Sequence, residues 1–304
     1  MKAIRLHEPV GIDGLTYEDA PDPVPAIGDV LVKVHACGIT PTELDWPIWT
    51  DRAGHQRDHI IPAHEFSGVV VALSYGTAGV AFGDEVYGLI DGYRDGAAAE
   101  YIAIEARDVA PKPKTIDDAH AAAIPQAGLT SWQALFDHGH LVAGQTVVIH
   151  GAGGALGNIA VQLARSVGAH VIGTGRSTAR SRVLELGADS FVDLEQDRWE
   201  DAIGQVDVVY DTIGGEVLAR SQALVKSGGT LVTVISPPTD IRNDIRTVNF
   251  IREPNRAQLI ELAHLVDAGK LRPQLGAVYP LAEARKAFTA KSGHDVVGKV
   301  VLQP

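Results

Sequence analysis

The chain has 304 residues, 45% hydrophobic and 21% charged, which is typical of a globular protein with room for about two domains. Its 26 Lys and Arg against 38 Asp and Glu give a net charge of −12, which argues against general affinity for nucleic acid or anionic membranes. The single cysteine, Cys37, excludes an internal disulfide framework and a cysteine-rich zinc site. No apolar run approaches a membrane span, and residues 1–11 lack the apolar core of a signal peptide, so we expect a cytoplasmic protein.

The first hundred residues are predicted to form mainly strands. Residues 29–36 alternate apolar and polar side chains, as a half-buried strand does, and further strands are predicted at 67–73, 85–90 and 97–104. Thr40 and Glu43 have the spacing of a capping box with proline at the first helical position, which predicts a short helix there. Residues 111–114 are typical of a domain boundary. After it we predict an alanine-rich helix capped by Thr115 and a second helix over 129–136.

From residue 146 onward, strands are predicted to alternate with helices. The strands are expected at 146–149, 170–173, 206–210, 229–235 and 248–251. The helices are expected at 178–186, near Trp199, at 216–226 and, opened by Pro254, at 255–267. Such alternation implies parallel strands joined by right-handed crossovers, which is an α/β doubly wound sheet. The tail from 269 to 304 has a strand-helix-strand pattern, and we expect it to return to the first domain.

A glycine-rich turn follows the predicted strand at 146–149. Its spacing, Ala152-x-Gly154-x-x-Gly157, is a dinucleotide-binding fingerprint with alanine in place of the first glycine. An amphipathic helix follows, and the start of such a helix presents backbone N–H groups and a positive dipole end to a pyrophosphate. We therefore predict a nucleotide site. The alternative is a glycine-rich turn that closes the sheet and binds nothing.

The residues after the second strand of this sheet indicate which nucleotide binds. NAD-binding sheets usually offer a carboxylate about 20 residues beyond the glycines, but no acidic residue occurs between Gly157 and Glu185. Residues 173–182 instead read GTGRSTARSR, and hydroxyls with guanidinium groups suit a 2′-phosphate. This favours NADPH over NADH. For Arg182 we expect instead a solvated position on a helix face.

Short motifs spread over the chain carry a family resemblance. They are ACGITPTE at 36–43, PAHEFSG at 62–68, GDEV at 83–86, GLTSW at 128–132, the glycine turn, VYDTIGG at 209–215 and GKVV at 298–301. Over essentially its whole length the chain resembles the zinc-independent quinone oxidoreductases, of the zeta-crystallin type, in the medium-chain dehydrogenase/reductase superfamily. The resemblance implies a GroES-like β-rich catalytic domain (1–118 and 269–304), a Rossmann NADP(H)-binding domain (119–268), a cofactor in the cleft between them, and a homodimer.

The resemblance also implies which residues contact the cofactor. The pyrophosphate would lie on Gly154, Ala155, Leu156 and Gly157, and the 2′-phosphate among Thr174, Ser177 and Arg180, with Arg176 as a further candidate. The adenosine side would contact Thr212, and the nicotinamide half would lie along Val234, Ile235, Ser236 and Phe250. Thr130 and Lys299 are assigned to the cofactor as well. For Asp211, a role in capping the turn after its strand is the stronger expectation.

A catalytic zinc is not expected. In the related zinc alcohol dehydrogenases the positions that match Thr40, His64 and Gln126 hold Cys, His and Cys, and only the histidine is kept here. Cys37 falls outside the ligand position. His64 and Glu65 then have two open interpretations. They form a buried pair that hydrogen-bonds the strand around it, or one of them faces the substrate and handles a proton.

Without a Lewis acid, hydride addition to a quinone or an α,β-unsaturated carbonyl is easier than reduction of a plain carbonyl, because the developing charge is delocalised. The candidate catalytic residues are Thr40, Asp45 and His64. The family often has Asn at the position of Thr40 and Tyr near that of Asp45 or Trp46, and this chain departs from both. Thr40 could donate a hydrogen bond near the nicotinamide, or it could only cap its helix.

Two other functions remain open. An enoyl-thioester reductase acting on a carrier-bound chain would be favoured by a basic docking patch, and this acidic chain shows no clear one. A binding protein that holds NADPH without turnover would share the fold and the cofactor site. The favoured hypothesis is an NADPH-dependent reductase of small quinones or enones.

Overall fold

The computed structural model describes residues 1–46, 48–293 and 296–304. The chain divides into two compact units. Unit 1 consists of Met1–Gln126, Glu253–Gly269 and Pro273–Pro304, and unit 2 consists of Ala127–Arg252 and Lys270–Arg272. The predicted boundaries put residues 119–126 and 253–268 in the second domain, whereas the structure groups these residues with unit 1. Residues 270–272 were predicted in the first domain and are grouped with unit 2.

Strands and helices are numbered in chain order over both units. The strands are β1 (Lys2–Arg5), β2 (Thr16–Asp19), β3 (Asp29–Ile39), β4 (Glu65–Leu73), β5 (Glu85–Leu89), β6 (Tyr101–Glu105), β7 (Val109–Pro111), β8 (Thr146–His150), β9 (His170–Gly175), β10 (Ser190–Asp193), β11 (Val206–Asp211), β12 (Val225–Thr233), β13 (Arg246–Asn249), β14 (Leu275–Pro280) and β15 (Lys299–Gln303). The helices are α1 (Asp118–Ala122), α2 (Pro125–Trp132), α3 (Ala155–Ser166), α4 (Arg180–Glu185), α5 (Gly215–Ser221), α6 (Arg256–Asp267) and α7 (Ala284–Ser292). None of these helices combines the length and the apolar character that a membrane crossing requires.

Unit 1 is built on a mainly antiparallel sheet. Its strand order is β14-β15-β3-β4-β5-β7, and β6 also pairs with β3. The long strand β3 buries alternate valines, Val30, Val32 and Val34, in the unit's core, as its sequence pattern predicts. The tail strand β15 lies antiparallel to the end of β3, with Val300 opposite Ile39. This register brings Lys299 next to the turn that follows β3.

Unit 2 contains a six-stranded parallel sheet with the order β10-β9-β8-β11-β12-β13. The β-branched run in β8 is buried, with Val147, Val148 and Ile149 inaccessible to solvent. Strand order reverses between β8 and β11, and ligands of doubly wound sheets bind at the carboxyl edge beside such a reversal. The predicted α/β doubly wound sheet is therefore confirmed.

Several elements of the structure differ from the prediction. Strands β1, β2, β7 and β10 were not predicted, and the helix predicted near Trp199 is a short 3-10 turn over Trp199–Ala202. Helix α5 stops well before residue 226, because β12 already begins at Val225. The strand predicted at 97–104 starts only at Tyr101.

Helices α1 and α6 do not begin where the sequence predicts. Asp117, not Thr115, caps α1, since its side chain accepts a hydrogen bond from the backbone N–H of His120 at 2.9 Å. The Thr115 hydroxyl donates instead to Asp267. Asn255 caps α6 by accepting from the N–H of Gln258 at 3.1 Å, which fixes the helix start one residue after the predicted one.

Candidate functional site

The glycine turn of unit 2 leads directly into the N-terminus of α3. Gly154 is the N-cap residue and is exposed, and no side chain caps the helix. The first N–H groups of a helix have no partner inside it, and the helix dipole adds positive potential there. The backbone at Ala155 and Leu156 therefore has the donors that an anionic pyrophosphate needs.

The glycines of the turn have different structural roles. A Cβ added at Gly157 would lie 2.3 Å from the carbonyl oxygen of Gly151, so glycine is required there for close packing of α3 on the turn. Among the described residues, a Cβ added at Gly154 would have one neighbour within 4 Å, that same oxygen, at 3.2 Å. Position 154 is thus open on its outer side, where a ligand's phosphate could approach the backbone.

Arg182 of α4 lies against the glycine turn. Its guanidinium donates a hydrogen bond to the carbonyl oxygen of Gly153 at 3.0 Å, and the side chain is half-buried. This corrects the expectation of a solvated position on a helix face. No sequence pattern marks the contact, because its acceptor is a backbone carbonyl 29 residues away.

The residues predicted to surround a 2′-phosphate fall into two groups. Thr174 is buried, and its hydroxyl lies 2.7 Å from Nδ1 of His150. Arg180 donates to the carbonyl oxygen of Phe191 at 3.1 Å. Arg176 and Ser177 are exposed at the carboxyl end of β9, and within the described ranges neither side chain has a hydrogen bond or ion pair. Arg176 and Ser177 are therefore the side chains that remain available to a phosphate.

His150, at the end of β8, connects three elements at this edge of the sheet. Its Nε2 lies 2.7 Å from the Ser221 hydroxyl, which itself donates to the carbonyl oxygen of Val217 at 2.5 Å. Ser221 must then accept from His150 Nε2–H, which leaves Nδ1 to accept from Thr174. Complete burial lowers the pKa of His150 to about 3, so the ring is neutral. Sequence reasoning missed this network, although a histidine just before the glycine turn was visible.

Two turns at the carboxyl ends of neighbouring strands are held by side chains. The Asp211 carboxylate accepts hydrogen bonds from the backbone N–H groups of Ile213 and Gly214, and from the Thr233 hydroxyl at 2.8 Å. This is the turn-capping role that the sequence predicts for Asp211. The Thr212 hydroxyl donates to the carbonyl oxygen of His150 at 2.7 Å.

The residues predicted to lie along the nicotinamide half follow β12 and β13. Val234 is half-buried, and Ile235 and Ser236 are exposed. The centroid of the Phe250 ring lies 4.4 Å from that of the His138 ring. Thr130, in α2, is buried and has polar contacts of its own. Parallel strands end at one edge of a sheet, so the loops after β12 and β13 share the edge that carries the glycine turn.

In unit 1, Thr40, Glu65 and Lys299 form a polar cluster. Lys299 Nζ donates a hydrogen bond to Thr40 Oγ1 at 2.9 Å and forms an ion pair with Glu65 Oε1. Lys299 and Glu65 are buried, whereas Thr40 is half-buried. The other oxygen of Glu65 accepts from the backbone N–H of Gln126 at 2.9 Å. Burial raises the pKa of Glu65, and the positive charge of Lys299 opposes that rise.

The predicted capping box does not form. Residues Pro41–Asp45 make a short 3-10 turn, and the Thr40 side chain does not cap it. Glu43 cannot complete the box, because its buried carboxylate accepts from the backbone N–H of Ala63 at 2.9 Å. Ala63 has a φ of +70°, which a residue with a Cβ adopts only under constraint from its surroundings.

His64 is buried, and both ring nitrogens face oxygens. Nδ1 lies 3.4 Å from Glu43 Oε2, and Nε2 lies 3.3 Å from the carbonyl oxygen of Arg94. Its ring centroid is 6.2 Å from that of the half-buried Trp46. His64 and Glu65 are both buried, as one interpretation has it, but among the described residues they have different partners, Glu43 for His64 and Lys299 for Glu65. Asp45 is exposed. No group of three or more His, Cys, Asp or Glu residues in the described chain is arranged to hold a metal ion.

Comparisons with known proteins agree with both units. Residues 26–114 match the model of the alcohol dehydrogenase GroES-like domain, and residues 186–302 match that of the zinc-binding dehydrogenases. The chain is 31% identical to a probable mitochondrial zinc-binding oxidoreductase of Arthroderma benhamiae, over 98% of this chain and 96% of that protein. It is 30% identical to a chloroplastic NADPH-dependent alkenal/one oxidoreductase of Arabidopsis thaliana, over 100% of this chain and 80% of that protein.

A similar solved structure is that of the quinone oxidoreductase from Coxiella burnetii. Its TM-score is 0.90 at 28% identity, with 100% of this chain and 99% of that chain covered. The matches extend over both units, so they confirm the GroES-like and Rossmann-type folds together with the predicted family. The chain therefore belongs to the medium-chain dehydrogenase/reductase superfamily, among the oxidoreductases that resemble quinone oxidoreductases.

Proposed function

We propose that the protein is a reductase that uses NADPH to transfer a hydride to a quinone or an α,β-unsaturated carbonyl compound. The observation that carries the proposal is the uncapped N-terminus of α3, open at Gly154. It lies on the same sheet edge as Arg176 and Ser177, whose side chains have no partner in the described part of the chain. The Arabidopsis relative is named for NADPH and for alkenal/one substrates, which supports the same choice of cofactor and acceptor.

Different parts of the proposed site bind different parts of the cofactor. The N–H groups at the start of α3 bind the pyrophosphate, and Arg176 and Ser177 bind the 2′-phosphate through charge-assisted hydrogen bonds. The loops that begin at Val234 and at Phe250 pack against the nicotinamide half. NADPH, when bound, supplies a hydride from C4 of its nicotinamide ring.

One carboxylate favours the alternative cofactor, NADH. Asp193, at the end of β10, pairs in register with Gly175 at the end of β9. Its Oδ1 already accepts a hydrogen bond from the N–H of Glu195 at 3.0 Å, which occupies part of its capacity for a ribose hydroxyl. The negative charge would repel a 2′-phosphate, whereas Arg176 would attract it. A measurement of the ratio of NADPH affinity to NADH affinity will show whether repulsion by Asp193 or attraction by Arg176 is the stronger effect.

The acceptor is proposed to be reduced without protein-bound zinc. Hydroxyl and amide oxygens such as those of Thr40 and Gln126 are poor zinc ligands, and the ammonium of Lys299 on Thr40 would repel a second cation there. In a quinone or enone the developing charge is delocalised over an enolate or phenolate, so hydrogen-bond donors can stabilise it. Thr40 is the donor proposed for this role.

The assembly and the location of the protein stay predictions. We propose a homodimer, for which β13, at the edge of the unit 2 sheet, offers unpaired backbone groups. The proposed location is cytoplasmic, although one relative is described as mitochondrial and another as chloroplastic. The partners are expected to be small-molecule acceptors, with neither nucleic acid nor membrane among them.

The test is steady-state oxidation of NADPH with a panel of acceptors. The panel contains menadione as a quinone, methyl vinyl ketone as an enone and crotonyl-CoA as an enoyl thioester. We expect turnover with menadione or methyl vinyl ketone and little with crotonyl-CoA. Preference for crotonyl-CoA would favour the enoyl-thioester reductase, and tight NADPH binding without turnover on any acceptor would favour a non-catalytic protein.

A further inference from the structure

We infer that a buried pair of charged residues, Lys299 and Glu65, holds the half-buried Thr40 in place as a hydrogen-bond donor for the oxygen of the acceptor. In this arrangement Thr40 is the catalytic residue that touches the acceptor. Lys299 and Glu65 are positioning residues that act through it. The inference deepens the proposed function and rests on it.

The direction of the hydrogen bond between Lys299 and Thr40 is fixed by chemistry. A lysine ammonium has donors and no acceptor, so Thr40 Oγ1 must accept at the observed 2.9 Å. The hydroxyl hydrogen of Thr40 is then not used in this contact. The Thr40 side chain does not cap the turn Pro41–Asp45, and it has no other hydrogen bond among the described residues. Its hydrogen is therefore available to a ligand.

Burial decides which member of the cluster can meet a substrate. Lys299 is 5% exposed and Glu65 is 2% exposed, so neither presents its charged group at the surface of unit 1. Thr40 is half-buried, so it is the most exposed of the three residues, and its Oγ1 touches the Lys299 ammonium. An acceptor oxygen would thus meet the Thr40 hydroxyl, and the ammonium behind it would make that hydroxyl a stronger donor.

The ion pair is itself held in place from two sides. Glu65 binds Lys299 with one carboxylate oxygen, and its other oxygen accepts from the backbone N–H of Gln126 at 2.9 Å. Lys299 begins β15, whose residues Val300 and Val301 are paired with the end of β3. A donor held in this way needs no reorganisation when charge develops on the acceptor, which is the condition for effective electrostatic stabilisation.

This role differs from the cofactor contact that the sequence resemblance assigns to Lys299. A cofactor contact predicts that loss of Lys299 raises the dissociation constant of NADPH. A positioning role predicts that kcat falls while NADPH affinity is kept. The two roles are separated by measuring kcat, KM and NADPH binding on the same variants.

The experiment compares Thr40→Val, Thr40→Ser and the double variant Glu65→Gln with Lys299→Met. The double variant removes both charges together, so that no unpaired charge is left buried. Thr289→Val, at an exposed threonine of α7, is the matched control for loss of a hydroxyl. With menadione we expect kcat to fall about 100-fold in Thr40→Val, to be largely restored in Thr40→Ser, and to fall about 10-fold in the double variant. NADPH affinity should be unchanged in all of them.

A second measurement does not depend on turnover. The ionised dye para-nitrophenolate presents a phenolate oxygen, and its absorbance shifts when that oxygen accepts a hydrogen bond. We expect it to bind the wild type and Thr40→Ser, and to lose most of its affinity for Thr40→Val. Equal binding to the wild type and Thr40→Val, or no binding to either, would overturn the inference.

The failure of the inference can be told apart from that of the proposed function. A wild type that reduces menadione, together with a Thr40→Val variant of equal kcat, overturns the inference and leaves the reductase intact. A wild type that is inert with every acceptor overturns the proposed reductase, and the dye still tests the donor. A double variant that loses NADPH affinity but keeps kcat returns Lys299 to the cofactor site. If the double variant does not fold, the two Thr40 variants and the dye decide.

Discussion

Arg182 of α4 donates a hydrogen bond to the carbonyl oxygen of Gly153. Helix α4 therefore holds the glycine turn from which α3 begins. The contact orients the peptide unit just before Gly154, whose backbone we propose to meet the pyrophosphate. Arg182 thereby connects the order of the turn to the binding of the cofactor.

Replacing Arg182 with Met should therefore weaken NADPH and NADH alike, because the pyrophosphate is common to both. Loss of the bond to Gly153 should also lower the free energy of unfolding by about 1 kcal/mol. Arg180→Met, on the same helix, is the matched control, since Arg180 donates to Phe191 and not to the turn. Fluorescence titration with each nucleotide and urea unfolding measure the two effects. A selective loss of NADPH in Arg182→Met would contradict this role.

Gly154 and Gly157 should respond differently to the same substitution. Gly154→Val should fold, because an added Cβ meets only one oxygen at 3.2 Å, but it should abolish nucleotide binding by filling the approach to the backbone. Gly157→Val should fail to fold or be strongly destabilised, because its Cβ would lie 2.3 Å from the Gly151 oxygen. Circular dichroism and nucleotide titration separate the two outcomes. Unchanged affinity in Gly154→Val would refute the assignment of the loop.

The choice between NADPH and NADH should depend on Arg176. Arg176→Ala should weaken NADPH by about 10-fold or more and leave NADH nearly unchanged, since only NADPH carries the 2′-phosphate. Arg180→Ala should have a smaller effect on that ratio, because its guanidinium is engaged by Phe191. Isothermal titration with both nucleotides gives the ratio. Equal losses of the two nucleotides in Arg176→Ala would remove this residue from the phosphate site.

His150 should make the stability of the fold depend on pH. Burial lowers the pKa of His150 in the folded chain to about 3 from its ordinary value of 6.5, so below pH 6.5 the unfolded chain binds a proton that the folded chain does not bind. The contribution of the neutral ring to the free energy of unfolding is fully present above pH 6.5. As the pH falls from 6.5 towards the folded pKa of about 3, this contribution decreases by about 1.4 kcal/mol for each pH unit. Urea unfolding of the wild type and His150→Gln over this range measures the difference. Parallel pH dependences in the two proteins would show that His150 is not the titrating group.

Zinc analysis tests the proposed metal independence. We expect the purified protein to contain no stoichiometric zinc and to keep its full rate with menadione after treatment with a chelator. The reason is the chemistry of the residues at 40 and 126, which offer a hydroxyl and an amide where the related zinc alcohol dehydrogenases have cysteines. One zinc per chain, with loss of activity on chelation, would contradict the proposal.

The sheet of unit 2 and its glycine turn were predictable because their signals are local. Strand β8, the turn and α3 follow one another within 21 residues, and each has its own pattern of β-branched residues, glycines or helical periodicity. The fold of unit 1 was predictable chiefly through the motifs that resemble a known family. Its alternating strands alone do not reveal that β15 pairs with β3.

The detailed site was less predictable because its contacts join distant parts of the chain. Lys299 and Thr40 are 259 residues apart, so nothing in either segment predicts their hydrogen bond. The capping-box pattern at Thr40 and Glu43 was misleading for the same reason. The Glu43 carboxylate accepts instead from the backbone N–H of Ala63. Ala63 has a positive φ, which the sequence does not reveal.

The position of β15 has a consequence for synthesis of the chain. Unit 2 is almost continuous, from Ala127 to Arg252, and most of it can fold once that segment has left the ribosome. Unit 1 has to wait with an incomplete sheet until Lys299–Gln303 has been made. The edge of β3 that later receives β15 is unpaired during that interval, so the strand that leads to Thr40 is a site at which the nascent chain can aggregate.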